Sequence, residues 1–319
     1  MENGHCFSDS CVNTISNSPP TTSLTFRPKG SLARALLEKQ KHDEFLDAFD
    51  KRTWYQCNFS LLSTSLATKF VQLHPDEDTL QFLKQSEKKS DWVFTQVWHS
   101  LIKLVFGLFM TQTSINGWLR RGSMFVISHQ QFKQLLLPSA FDHTWKSETL
   151  LDLGAGDGEV TAQLAPSFKK VYVTEVSKTM RSLLEMKGYE VLEIDNWHVD
   201  RKYDFISCLN LIDRCDTPLE LLQQIRHSLN PNGVVLLAVV LPFSAYVEYG
   251  SPDHKPKELL PIKGPDFEQQ VESVVRDVLN PNGFEVISWS RVPYLCEGDL
   301  QQSYYWLDDA IFLLRLKSI

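Results

Sequence analysis

The sequence predicts an α/β fold, an open and mostly parallel Rossmann-like sheet with helices on both faces and a helical N-terminal extension. Three observations carry this. From Lys146 onward, short β-branched runs alternate with helix-length segments, which places strands at 149–153, 171–175, 189–194, 203–208, 233–240, 283–290 and 310–316 with helices between the first five. The first of these runs, Leu150 to Leu153, breaks at Gly154-Ala155-Gly156-Asp157-Gly158 and feeds a helix beginning near Glu159. The last two runs have no helix between them, so they form a terminal antiparallel pair and bring the count to seven strands.

Taken in order, residues 1–30 are rich in Ser, Thr, Asn and Pro and read as a disordered tail. Residues 31–145 form a helical N-terminal region. It opens with a capped helix at Ser31, and further short helices follow at Phe59–Leu73 and Glu77–Gln85. Trp92 to Met110 is the most apolar segment, with apolar positions at helical spacing. His99, Lys103 and several polar residues interrupt it, so it falls short of the roughly 20 apolar residues a spanning helix needs. It reads as a helix packed on the domain that follows; the alternative is a membrane-surface helix. Thr113 to Phe125 reads either as a lid over a ligand, with Arg121 pairing a carboxylate through two parallel donors, or as a surface loop before a Gln130–Leu137 helix. The chemistry then falls to a domain spanning 146–319.

The glycine turn is the centre of that domain. Glycines at alternate positions let backbone amides approach a ligand closely. Glu175 ends the next strand, 17 residues after Gly158. In a doubly wound sheet an acid there accepts hydrogen bonds from two ribose hydroxyls. Dinucleotide dehydrogenases require Gly-x-Gly-x-x-Gly, and the third position here is Glu159, so that pattern fails. Asp152-Leu153-Gly154-Ala155-Gly156-Asp157-Gly158 instead resembles the first motif of S-adenosylmethionine-dependent class I methyltransferases, whose sheet has the seven-strand layout expected above. That resemblance implies S-adenosyl-L-methionine as cofactor, with Asp152 near its methionine end and Gly154 and Gly156 beneath it.

Composition narrows the partners. At 319 residues, 43% hydrophobic and 22% charged, the chain is an ordinary globular protein. A formal charge of −7 argues against general nucleic-acid binding, which needs a basic face. Cys6, Cys11, Cys57, Cys208, Cys215 and Cys296 include no Cys-x-x-Cys pair, so a reduced compartment and no metal site are expected. No secretory signal or transmembrane segment is read at the N-terminus, and a cytoplasmic monomer is expected.

Ligands in open α/β sheets bind beyond the carboxyl ends of the strands. The third strand ends in Asp195-Asn196-Trp197, where an acid or amide suits the adenine amino group and the indole offers it an apolar face. The fourth ends in Leu209-Asn210-Leu211-Ile212-Asp213, which sets Asn210 and Asp213 where a methyl group would be presented. An amide that donates and accepts, beside a carboxylate that accepts, suits methylation of an amine or ring nitrogen. Asp213 as a helix cap is the structural alternative. Tyr304-Tyr305-Trp306-Leu307-Asp308-Asp309, expected between the last two strands, is a candidate substrate wall.

Ser114 to Gly117, Arg121 to Val126, Leu150 to Thr161, Ser207 to Cys215, Leu241-Pro242-Phe243 and Pro293 to Asp299 together resemble the DREV (methyltransferase-like protein nine) family of protein-histidine N-pros-methyltransferases. The similarity runs from about Trp54 to Leu316. It implies methyl transfer to the pros nitrogen of histidine in His-x-His motifs of protein substrates. It also implies cofactor contacts at Asp152, Gly154, Glu175, Asp195 and Asn196, and a target imidazole held by Asn210, Asp213 and Tyr305 with Tyr294 close by. Two departures stand out. Asp195-Asn196 replaces the family's Asn-Glu, and the N-terminus lacks the apolar segment of animal members. The second departure leaves an endoplasmic reticulum or mitochondrial association, as in relatives, beside the cytoplasmic expectation. Two other functions remain open at this level: a small-molecule N- or O-methyltransferase, and a non-catalytic cofactor-binding partner protein.

Overall fold

A computed structural model describes residues 30–91, 122–139, 145–247, 251, 253–299 and 301–317. The tail before Gly30, the apolar Trp92–Met110 segment, Ser114 to Gly117 and Arg121 lie outside the described residues.

The N-terminal region opens with α1 (Ser31–Ala48), followed by the single turn α2 (Thr64–Ala67) and α3 (Glu77–Ser90). The α3 start is dictated locally. Asp76 accepts the Thr79 amide proton at 3.0 Å, acids occupy the first turn and Lys88 and Lys89 the last, complementing the helix dipole. The helix expected over Phe59–Leu73 is broken. A short 3-10 turn at Phe59–Leu61 and α2 replace it, because the chain then runs alongside the sheet, exchanging backbone hydrogen bonds with Trp289 through Lys69 and Val71. After β1 (Met124–Phe125) comes α4 (His129–Leu136), started by a capping box between Ser128 and Gln131.

The catalytic sheet then follows: β2 (Ser147–Leu153), α5 (Glu159–Leu164), β3 (Phe168–Thr174), α6 (Lys178–Met186), β4 (Glu190–Leu192), β5 (Tyr203–Leu209), α7 (Pro218–Ser228), β6 (Leu229–Val240), α8 (Phe267–Ser273), β7 (Phe284–Glu297) and β8 (Tyr304–Leu316). The strand order is β1-β7-β8-β6-β5-β2-β3-β4. Strands β2 to β6 pair in parallel, while β8 lies antiparallel between β6 and β7. Described strands therefore number eight, not the expected seven. The extra one is β1, whose Met124 and Phe125 pair antiparallel with Cys296 and Leu295 at the edge.

Two further expectations need correction. No helix joins β4 to β5, and residues 193–202 cross in turns. The stretch Tyr304–Asp309 is not a connection between the last two strands but the first half of β8, paired with β7 from Glu297↔Tyr304 to Val292↔Asp309. Tyr304 and Trp306 pack there against Trp54, with ring centroids 6.3 and 5.7 Å away. Burying such side chains is worth roughly 1.5–3 kcal/mol each, which draws the strand pair out well past its expected length.

Both sheet faces are covered, as near-continuous apolar strands require. Leu151, Ile206, Val235, Leu237 and Phe312 pack with α7 and α8 on one side. Leu150, Phe205, Leu236 and Leu313 pack with Phe132 and Leu135 of α4 on the other. The carboxyl edge of β2, β3 and β5 lies between these two layers.

Candidate active site

At that edge the chain leaves β2 through the glycine turn. Gly154 has φ +70°, and a side chain there would start 3.1 Å from Leu211, so the turn presses directly against the loop that follows β5. Gly156 has φ +57° with open space where a side chain would begin. Its amide donates to Glu175 Oε2 at 3.0 Å, and Ser177 donates to Glu175 Oε1 at 2.8 Å. Glu175 thus stands across the turn, as the strand-end acid was expected to. The helix behind the turn, α5, is only six residues long, so backbone amides and Glu175 rather than a helix dipole define this cradle.

Asp152 lies one layer deeper. It is 3% exposed, accepts Ser207 Oγ at 2.6 Å and Thr161 Oγ1 at 2.5 Å, and so ties β2 to β5 and α5 under the turn. Burial pushes its carboxyl up to about 6, against the two hydroxyl donors that favour ionisation. Asp195 and Asn196 are exposed beyond β4. Trp197 is not: it is 4% exposed in the core, and its carbonyl accepts the Tyr203 hydroxyl at 2.7 Å, which holds it inward. Apolar surface at this corner comes instead from Val176 and Ile194, 47% and 44% exposed.

Asn210 follows β5 in a left-handed conformation, φ 53°, tolerated by asparagine and uncommon otherwise. Its amide N–H donates to Ala238 O at 3.0 Å. Its side-chain Nδ2 donates to Asp309 Oδ2 at 3.0 Å. Asp309 is fully buried in β8 and Asp213 is 2% exposed. Oδ1 of Asn210, of Asp213 and of Asp309 is each buried with no hydrogen-bond partner among the described residues. Three acceptor oxygens left this way are unusual, because an unsatisfied buried acceptor costs about 1–3 kcal/mol. Burial raises both carboxyls. At Asp213 the Arg214 guanidinium, with Nε 3.1 Å from Oδ2, opposes the rise. At Asp309 the counterweights are the Asn210 bond and a backbone bond at Val239, the charges of Asp213 and Asp308 add to the rise, and the carboxyl is pushed well above its ordinary value.

Tyr294 is buried, feels the charges of Asp213, Asp309 and Arg214, and meets the Met124 sulfur with its hydroxyl. It belongs to the cluster. Tyr305 stands apart: four residues from Asp309 on β8, about 13 Å along the strand, it donates to Asp299 Oδ1 at 3.0 Å. Asp309 is not singled out by the sequence pattern, in which it is one residue of a candidate substrate wall; only the long-range pairing of β8 sets it against Asn210.

The arrangement fits S-adenosyl-L-methionine by its chemistry: an open glycine cradle, a carboxylate across it, and buried acceptors beside it. Among the described residues no cluster of His, Cys, Asp and Glu is arranged to hold a metal, and no helix is long and apolar enough to cross a membrane.

Comparison with known structures finds distant likenesses. An S-adenosylmethionine-dependent methyltransferase from Clostridium acetobutylicum matches at 15% identity, covering 60% of this chain and 93% of that one, with a TM-score of 0.39. A DhpI complex with SAH matches at 17% identity over 74% of this chain and 98% of that one, with a TM-score of 0.37. At such values they carry no argument about function. The sequence profile of the DREV methyltransferase family, by contrast, matches residues 54–316, the N-terminal region and the sheet together. The chain belongs to the DREV methyltransferase family, and S-adenosyl-L-methionine is its methyl donor.

Proposed function

We propose that the acceptor is histidine, methylated at its pros nitrogen within His-x-His segments of protein substrates. The observation that carries this reading is the pair of buried, unpartnered acceptor oxygens on Asn210 and Asp213, one loop away from Gly154. Such a set calls for a ligand that brings N–H groups, and an imidazole brings one while offering a lone pair on its other nitrogen.

Glu175 and the Gly154–Gly158 turn would hold the ribose and methionine portions of the cofactor, and the exposed Asp195-Asn196 pair would meet its adenine. Bound there, S-adenosyl-L-methionine supplies an electrophilic methyl group on a sulfonium. The remaining work is done by the chain. Free histidine titrates near roughly 6.5, so the imidazole arrives largely neutral and nucleophilic. Asp213 accepts the tele N–H, which leaves the lone pair on the pros nitrogen and selects one tautomer. As the ring becomes an imidazolium, the same carboxylate stabilises the growing charge from a site closed to water. Asn210 and Tyr294 fix the plane of the ring, and alignment of this kind supplies much of the remaining rate enhancement. Tyr305, half-buried toward the end of the same sheet face, suits a neighbouring residue of the peptide.

The test is incubation with labelled cofactor and a His-x-His peptide, followed by mass-spectrometric placement of the methyl group. Label on the pros nitrogen is expected. Label on the tele nitrogen, on another side chain, or turnover of small amines in preference to the peptide would overturn the reading.

A further inference from the structure

We propose that Asp309 is a positioning residue for transfer: by accepting the Asn210 Nδ2–H it turns Asn210 Oδ1 toward the acceptor side chain beside Asp213. This rests on the histidine reading and deepens it.

Asp309 lies in β8, opposite Val240 and Val292, at the point where that strand passes the loop after β5. Among the described residues it has no cation for a partner, and its side-chain partner is Asn210, whose Nδ2 donates at 3.0 Å. The neighbouring Asp308 has its own partner, Arg291, at 2.9 Å. A fully buried carboxyl facing an amide and a backbone group rather than a cation is a poor stabilising device, since its desolvation exceeds what such hydrogen bonds return. What the bond does achieve is orientation. An asparagine amide is nearly symmetric in shape, and only its partners decide which end faces where. With Nδ2 committed to Asp309, the carbonyl end points away from β8, and it is buried without a partner. Asn210 is itself held on the left-handed side of φ by its amide bond to Ala238, so the side chain has few other placements.

The groups facing Asp309 are Asn210 and Asp213 from the loop after β5, Asp308 on its own strand and Tyr294 from β7. Burial and the nearby Asp213 raise the Asp309 carboxyl well above its ordinary value, against the bonds from Asn210 and from the backbone at Val239. Its role is that of an acceptor for the Asn210 Nδ2–H. An amide at position 309 serves equally well, whereas a hydrocarbon does not.

The experiment compares Asp309→Asn and Asp309→Leu with the wild type, using a His-x-His peptide for kinetics and the Asn210 side-chain amide signals for structure. Those signals are identified by their loss in Asn210→Asp. Asp309→Asn is expected to keep kcat within about threefold. Asp309→Leu is expected to lose about 30-fold in kcat at unchanged peptide KM, the scale of one lost buried hydrogen bond to a neutral group and the misalignment that follows. The Asn210 amide protons should exchange slowly in the wild type and in Asp309→Asn, and quickly in Asp309→Leu. Equal turnover per folded molecule in Asp309→Leu, or equal damage from Asn and Leu, overturns the proposal. Should Asp309→Leu fail to fold, fast exchange of the Asn210 amide in the wild type overturns it, and slow exchange retained in Asp309→Asn upholds it. A wild type inactive on the peptide defeats the histidine reading instead, while the exchange measurement still judges the Asp309–Asn210 link.

Discussion

Replacing Asp213 by asparagine separates the chemistry from the fold. In the mechanism above, Asp213 is the carboxylate that accepts the tele N–H beside the developing imidazolium. At an effective dielectric of about 20, suited to a buried site, an anion about 4 Å from that charge is worth about 4 kcal/mol. The Arg214 guanidinium, 3.1 Å from the other carboxylate oxygen, offsets part of this. About 3 kcal/mol remains, which is about 100-fold in kcat and matches the usual effect of removing one preorganised electrostatic group. Stability should move the other way. Burial raises the folded-state pKa of Asp213, so the native protein is penalised as pH rises through that pKa and suffers no such loss below the unfolded value. The neutral amide removes the penalty, and Asp213→Asn should melt at the same temperature as wild type or higher at neutral pH. Cofactor affinity should hold, since Glu175 and the glycine turn are untouched. Single-turnover kinetics, calorimetric titration of cofactor and thermal melts test the three parts. A kcat within fivefold of wild type, with folding and cofactor binding intact, would refute the assignment of Asp213 as the charge-stabilising group.

Two predictions concern the cradle. Asp152 is fully buried with its carboxyl raised to about 6, so in wild type its contribution to stability falls as pH rises from about 4 through about 6. Asp152→Asn should flatten that part of the stability curve, by about 3 kcal/mol at neutral pH if Ser207 and Thr161 reorient their hydroxyls; denaturant titrations at pH 4 and 7 without added cofactor would show it, and an unchanged pH slope would contradict it. Gly156→Ala puts a methyl into open space at φ +57°, so it should cost only about 1–2 kcal/mol of stability while weakening cofactor binding about tenfold or more. Unchanged affinity by calorimetry would mean the ligand does not pass over Gly156.

Much of the site was legible because its signals are local. A strand, a glycine turn and a strand-end acid at fixed spacing are neighbours in sequence, and Gly154, Gly156 and Glu175 meet as that spacing implies. Asn210 and Asp213 follow from the rule that ligands sit beyond parallel strand ends, and β2 and β5 are indeed adjacent, bringing Leu211 onto Gly154. The misses share one cause. Two-residue β1 is too short to show alternation, and its strand state depends on Cys296 and Leu295 far along the chain. Trp197 has the same composition around it whether it faces a ligand or the core, and only its packing and the Tyr203 hydroxyl decide.

The chain's own order of residues determined the parallel strands, the cofactor turn and its acid, because each arises from periodicity and backbone conformation within a few residues. The reach of β7 and β8, the seat of Asp309 against Asn210 and the exclusion of Trp197 were decided only on folding. They depend on which distant segments are driven to share an apolar face, and burial energy of that kind has no trace in local spacing.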